Sequence, residues 1–295
     1  MKNTPKLPRF IVRQDLGALE SRVVAQAAML LDIQVQVVAL DRLGAHVGAL
    51  QGGALPVGSV EFVRACMLLM GLQEPPNLSY PPSLRHLLHR DVRLCRASEV
   101  RESAFVKPVK TKTFTGFVFD PARPDAAYSE HDREQLHCLR SLPPDDMVWV
   151  STTVDFVAEW RCYIMDGRIL GIGRYDPNEP DDVPEPPMDW LEQAANHLRA
   201  DGIQTCSLDV GLLSDGRYAV VECNDAWALG LYGRSLDSKT YLQMLWARWE
   251  QLLSSADLLE EAKKPQREIP AAFLGSRLSP CPENPEDGFS YGGVG

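Results

Sequence analysis

Apolar positions recur along this chain with two periods, about 3.6 residues and 2 residues, and the switches between them outline its elements. Residues 10–12 form a short apolar run. Residues 16–31 carry Leu19, Val23, Val24, Ala27 and Ala28 at helical spacing, and residues 35–40 are again strand-like. This β-α-β order predicts a small α/β domain with a parallel strand pair. A helix is expected over residues 60–70 behind Ser59 as N-cap, and a short one over 84–89 after Pro81-Pro82. His86 and His89 share a face there, but without a third ligand they read as surface residues rather than metal ligands.

From residue 104 strand patterns dominate. Residues 104–109 form a β run containing Lys107, followed by a Thr/Lys/Gly loop at 110–116, a strand at 117–119 and a helix at 132–141. Two hairpins are predicted, over 160–175 and 205–223, turning on Asp166-Gly167 and Asp215-Gly216, because both residues of such a turn need positive φ. Between them, residues 176–187 hold five acids and five prolines and must form an exposed loop. Helices are expected over 188–200 and 238–253, the second with Ser238 as N-cap and Trp246 and Trp249 on its apolar side. Beyond about 256 the chain is rich in Pro, Gly and Glu without periodicity, which predicts a disordered tail.

Composition narrows the class. A chain of 295 residues is long enough for one large or two medium domains. Its net charge of −10 argues against a non-specific nucleic-acid binder. The 7 cysteines are spread singly, without a CxxC pair, which fits a reducing cytoplasm better than a disulfide framework or structural zinc. No apolar stretch approaches the ~20 residues of a membrane span.

The chemistry gathers on the second hairpin. With Asp215-Gly216 as a two-residue loop, Asp209 lies directly opposite Glu222, and Asn224 falls on the same face opposite Ser207. Opposed carboxylates repel, so a shared proton, a basic partner or a cation must neutralise them. Hard oxygen donors favour Mg²⁺, completed by substrate phosphates, over two carboxylates on a wet face. The same arithmetic on the first hairpin sets Glu159 opposite Arg174, with Arg161 on that face. This is either a structural ion pair beside a solvated arginine or an arginine pair for phosphate oxygens. Lys107, inside an apolar strand, needs an anionic partner. Lys110 and Lys112 fit a phosphate-covering loop or an ordinary surface loop equally well.

Taken together, Phe105-Val-Lys107-Pro, the segment Val148-Trp-Val-Ser-Thr152, Asp209 and Glu222-Cys-Asn224 resemble the ATP-grasp superfamily. Glu159-Trp-Arg161 followed by Arg174 resembles its phage and bacterial clade characterised by two arginines and a lysine. The resemblance covers about residues 99–250. It implies an α+β ATP-grasp domain (99–255), two subdomains gripping ATP, preceded by a small α/β N-terminal domain (1–98) and followed by the tail (256–295). It also implies an ADP-forming carboxylate–amine or carboxylate–thiol ligase working through an acylphosphate, in keeping with the cytoplasmic setting expected from the cysteines. A kinase-like phosphotransferase and a non-catalytic ATP-binding protein are the alternatives. The cofactors implied are ATP and Mg²⁺, and the partners are small-molecule, peptide or protein carboxylates and amines. Asp209, Glu222 and Asn224 would hold the metal, and Arg161 and Arg174 the γ-phosphoryl. Lys107 would meet the α-phosphate or the adenine edge, Lys110 and Lys112 the nucleotide phosphates, Ser151 and Thr152 the adenine, and Asp155 the ribose. The family's acidic hinge residue is replaced here by Ser151-Thr152.

Overall fold

The computed structural model describes residues 7–110, 113–175, 183–233 and 235–255. The element order is β1 (Phe10–Gln14), α1 (Leu19–Leu30), β2 (Gln34–Val38), α2 (Val47–Gln51), β3 (Leu55–Val57), α3 (Val60–Met70), β4 (Val92–Arg96), β5 (Ala104–Pro108) and β6 (Phe117–Phe119). It continues with α4 (Glu130–Ser141), β7 (Met147–Ser151), β8 (Phe156–Met165), β9 (Arg168–Arg174), α5 (Met188–Ala200), β10 (Thr205–Leu213), β11 (Tyr218–Asp225) and α6 (Ser238–Ser255). Lys112, most of the acidic proline-rich loop and the tail beyond 255 lie outside the described residues.

These strands form three sheets. The first is parallel, in the order β2-β1-β3, so the expected β-α-β pair gains a third strand. The other two are antiparallel, β11-β10-β8-β9 and β4-β7-β5-β6. Helix α5 lays Leu191, Ala194, Ala195 and Leu198 on Cys162, Leu208, Val210 and Cys223 of the four-stranded β8–β11 sheet. Helix α4 packs Leu136 and Leu139 on Val106, Val148 and Val150 of the other. Each sheet thus has one apolar face under a helix and a second face free for polar chemistry.

Helix α6 belongs to a different layer. It packs on α1 and β3, and the Trp249 indole donates to the Ala54 carbonyl at 3.0 Å. Residues near both ends of the described chain therefore share one core. Its N-cap is Asp237, which accepts from the backbone of Lys239 and Thr240, so the expected cap Ser238 is the first helical residue instead. The segment expected as a helix at 84–89 is a 3₁₀ turn, Pro82–Leu87, opened by Pro82.

Both hairpins depart from ideal register by a β-bulge. The β8–β9 turn is the expected two-residue one, with φ of 53° at Asp166 and 74° at Gly167. The register then slips at Tyr163/Ile164, leaving Leu170 unpaired, and Arg174 pairs with Trp160. The expected pairing with Glu159 is not formed. A one-residue slip turns every later side chain to the other face. In the β10–β11 hairpin two departures cancel. The loop has three residues, closed by Leu213 N–H to the Arg217 carbonyl at 2.8 Å, with Gly216 left-handed at φ 84°. A bulge at Val221 then restores the register, so Asp209 does pair with Glu222 and Ser207 with Asn224.

Candidate functional site

On the face of the β8–β11 sheet opposite α5, polar residues stand in rows across the strands. Arg161 of β8 pairs with Asp209 of β10, which pairs with Glu222 of β11. The adjacent row is Tyr163, Ser207 and Asn224. Asp209 is 1% exposed. Its Oδ1 accepts from Arg161 Nε at 2.8 Å. Its Oδ2 accepts from Arg161 Nη2 at 2.7 Å, the Tyr175 phenol at 2.6 Å and Asn224 Nδ2 at 2.8 Å. The same Asn224 nitrogen donates to Glu222 Oε1 at 3.1 Å, joining the opposed carboxylates.

Arg161 is itself 1% exposed. Its guanidinium lies 5.3 Å from the Tyr175 ring and 4.9 Å from that of Tyr232, and the two rings stack at 4.3 Å. Burial alone would weaken its charge. The Asp209 carboxylate and the Tyr175 oxygen outweigh that and hold it well above the ordinary arginine range. Tyr232 reaches this place because Gly171 and Gly173 of β9 leave room for the backbone of Tyr232 and Ser235, where any Cβ would collide with the Ser235 or Tyr232 carbonyl. Tyr163 and Glu20 of α1 hold the same loop at Gly230, Leu231 and Tyr232.

Lys107 comes from β5, on the facing sheet. Its ammonium pairs with Glu222 Oε2 between the two sheets and lies 5.3 Å from the Tyr80 ring, which packs edge-on against Trp149 of β7. Burial pushes the Glu222 carboxyl up, but Lys107 and the Asn224 amide pull harder and hold it below the ordinary glutamate value. Glu159, beside this row, has no such rescue. Burial and the neighbouring Asp209 and Glu222 charges raise it to about 7, against a smaller opposing pull from Arg90. A small cleft adjoins the row, bordered by Arg161, Asn224, Asp225, Asn77, Gly230 and Val60 at the start of α3.

The fold therefore gathers Lys107, Arg161, Asp209, Glu222 and Asn224. The expected arginine pair is corrected: Arg174 stands over Trp160 at 5.8 Å, on the face opposite Arg161. Lys110 is exposed, 3.8 Å from Asp146. Ser151 is buried at the end of β7 opposite Phe105, and its hydroxyl donates to the Thr152 carbonyl at 2.7 Å. The Thr152 hydroxyl accepts from Asp91 N–H at 3.2 Å. Asp155 is exposed ahead of β8, its carbonyl accepting from Ser214 N–H at 3.2 Å. Tyr175, Tyr80 and Arg90 carry no signal in the sequence. Glu159 does, since alternation sets it on the face of Arg161.

Two carboxylates and an amide oxygen would fit a hard cation such as Mg²⁺, but here Asn224 turns its nitrogen to both carboxylates and donates to them. Among the described residues no three His, Cys, Asp or Glu side chains form a metal-holding group, and each carboxylate oxygen here already accepts a hydrogen bond.

The family model of the ATP-grasp domain, R2K clade family 3, matches residues 13–252. The chain belongs to that ATP-grasp family. Its match spans the parallel sheet as well as both antiparallel sheets. Among solved ATP-grasp-like structures, N5-carboxyaminoimidazole ribonucleotide synthetase from Thermotoga maritima is 10% identical with a TM-score of 0.51, over 81% of this chain and 76% of that one. L-amino acid ligase from Bacillus licheniformis is 11% identical with a TM-score of 0.50, over 83% of this chain and 76% of that one. At these identities the likeness shows the ATP-grasp fold. No curated protein matches the sequence. Among the described residues no helix is long and apolar enough to cross a membrane.

Proposed function

We propose that this ATP-grasp protein is an ADP-forming ligase that joins a substrate carboxylate to an amine or thiol. The observation that carries the reading is the meeting of Lys107 from one sheet with Glu222 from the other, in line with Asp209, Asn224 and Arg161. A cation from one sheet beside hard oxygen donors and a second cation on the other suits a metal-bound polyphosphate. Mg²⁺-ATP would supply a transferable γ-phosphoryl group, turning the carboxylate into an acylphosphate from which the nucleophile displaces phosphate.

In this reading Lys107 binds phosphate, and Ser151-Thr152 borders the adenine. Asp209, Glu222 and Asn224 hold the metal. Arg161 offsets the charge that develops on the transferring phosphoryl, the main lever in such reactions. The parallel-sheet layer from β1 to α3 forms the substrate side, whereas β4, inside the expected 1–98 domain, belongs to the Lys107 sheet, and the cleft beside Val60 and Asn77 receives the acceptor, a small molecule or peptide. The described cysteines are all free, which supports a reducing cytoplasmic setting.

The test is ADP and phosphate release screened over carboxylate and amine pairs. A ligase releases ADP and phosphate and makes an amide. A phosphorylated product without free phosphate would replace the ligase by a kinase-like enzyme, and Mg²⁺-ATP binding with no turnover would leave a binding protein.

A further inference from the structure

The carboxylates expected to hold Mg²⁺ are already neutralised from within. Arg161 and Lys107 supply two positive charges against the two negative ones of Asp209 and Glu222. Asp209 Oδ2 takes three donors, more than a carboxylate oxygen's two lone pairs serve separately. A bare divalent cation arriving here would shed water it releases reluctantly and break a charge pair, with no anion to take the displaced cation.

The two internal cations are not equally held. Arg161 is buried to 1%, bonded through both Nε and Nη2 and enclosed by two tyrosine rings. Lys107 is a point charge on a flexible stem, bonded to Glu222 through one atom beside the Tyr80 ring, with its side chain 15% exposed. A polyphosphate entering the cleft offers Lys107 a more highly charged partner than Glu222.

We infer that Lys107 is an exchangeable counter-ion, standing on Glu222 in place of the metal until nucleotide phosphate draws it off. Divalent metal then enters only together with phosphate, while Arg161 stays on Asp209. This rests on the nucleotide-binding reading above. It makes the empty enzyme resistant to stray divalent ions and gives metal and nucleotide a reciprocal coupling.

The test is a Mn²⁺ titration of the full chain, followed by the paramagnetic signal of free Mn²⁺, with and without ADP. In the wild type, Mn²⁺ alone is expected to bind at least about tenfold more weakly than with ADP present. In Lys107→Met, bare Mn²⁺ is expected to bind about tenfold more tightly than in the wild type while ADP binds more weakly, so that the coupling collapses. Lys107→Gln, which keeps a donor for Glu222 without the charge, is read the same way should the first variant not fold. Bare Mn²⁺ binding as tight as with ADP in the wild type, or unchanged in a folded variant that has lost the Lys107 charge, overturns the exchange. A wild type that binds no Mg²⁺-ATP at all defeats the nucleotide reading itself.

Discussion

At the scale of single residues, the site is governed by how each buried charge is compensated. Asp209 and Arg161 are both 1% exposed and bonded at two atoms, so neither tolerates losing the other. Arg161→Ala leaves Asp209 buried without its cation and is expected to lower stability by about 3–5 kcal/mol in urea unfolding. A smaller cost in Asp209→Leu/Arg161→Met would show that the loss comes from the orphaned charge. Glu159 gives the opposite pH signature to an ordinary paired carboxylate. Its folded value near 7 lies above the 4.5 of the free side chain, so the native state holds a proton that the unfolded chain releases first. That contribution is intact below about pH 4.5 and fades as pH rises through 7, by at most about 3 kcal/mol. Unfolding free energies measured from pH 5 to 8 in EDTA should fall for the wild type. They should stay flatter for Glu159→Gln, and equal slopes would remove Glu159 as the cause.

At the scale of elements, bulges and close approaches decide where those residues point. The bulge at Val221 is held from outside by Arg90, whose guanidinium donates to the Val220 and Val221 carbonyls, each at 2.7 Å. Arg90→Ala is expected to cost about 1.5–3 kcal/mol locally. It should speed amide exchange in β11 around Glu222 and weaken Mg²⁺-dependent nucleotide binding more than Mg²⁺-free binding. Exchange unchanged in β11 would mean the bulge stands without Arg90. Gly171 serves a second close approach, where a methyl group would meet the Ser235 carbonyl. Gly171→Ala should destabilise by about 1–3 kcal/mol, whereas Gly48→Ala, with nothing within 4 Å, should be neutral or slightly stabilising in thermal melts.

At the scale of the whole molecule, α6 closes the core that begins with β1 and α1, so residues near both ends of the described chain stand or fall together. Trp249 is fully buried there, and Trp249→Ala should cost about 3–5 kcal/mol and loosen the parallel sheet along with α6, checked by exchange protection in β1 and β3. What the sequence determined by itself is the local part. Helix α3 coincides with the expected 60–70, the Asp166-Gly167 turn forms as read, and Asp209, Glu222 and Asn224 share one face, although a three-residue loop and a bulge had to cancel to give that register. Turn chemistry and the two-residue strand period act between near neighbours, so they are written where they operate. Which charge meets which is set instead by packing between distant segments. A single unpaired residue, Leu170, sends Arg174 to the Trp160 face, and nothing local marks it. Lys107 reaches Glu222 across 115 positions and Arg90 reaches Val220 across 130, and Tyr175 and Tyr232 close on Arg161 through a loop fitted over glycines. Those pairings arise from sheet packing between distant segments, and the Asp209–Glu222 repulsion that sequence could foresee is resolved by cations it could not assign.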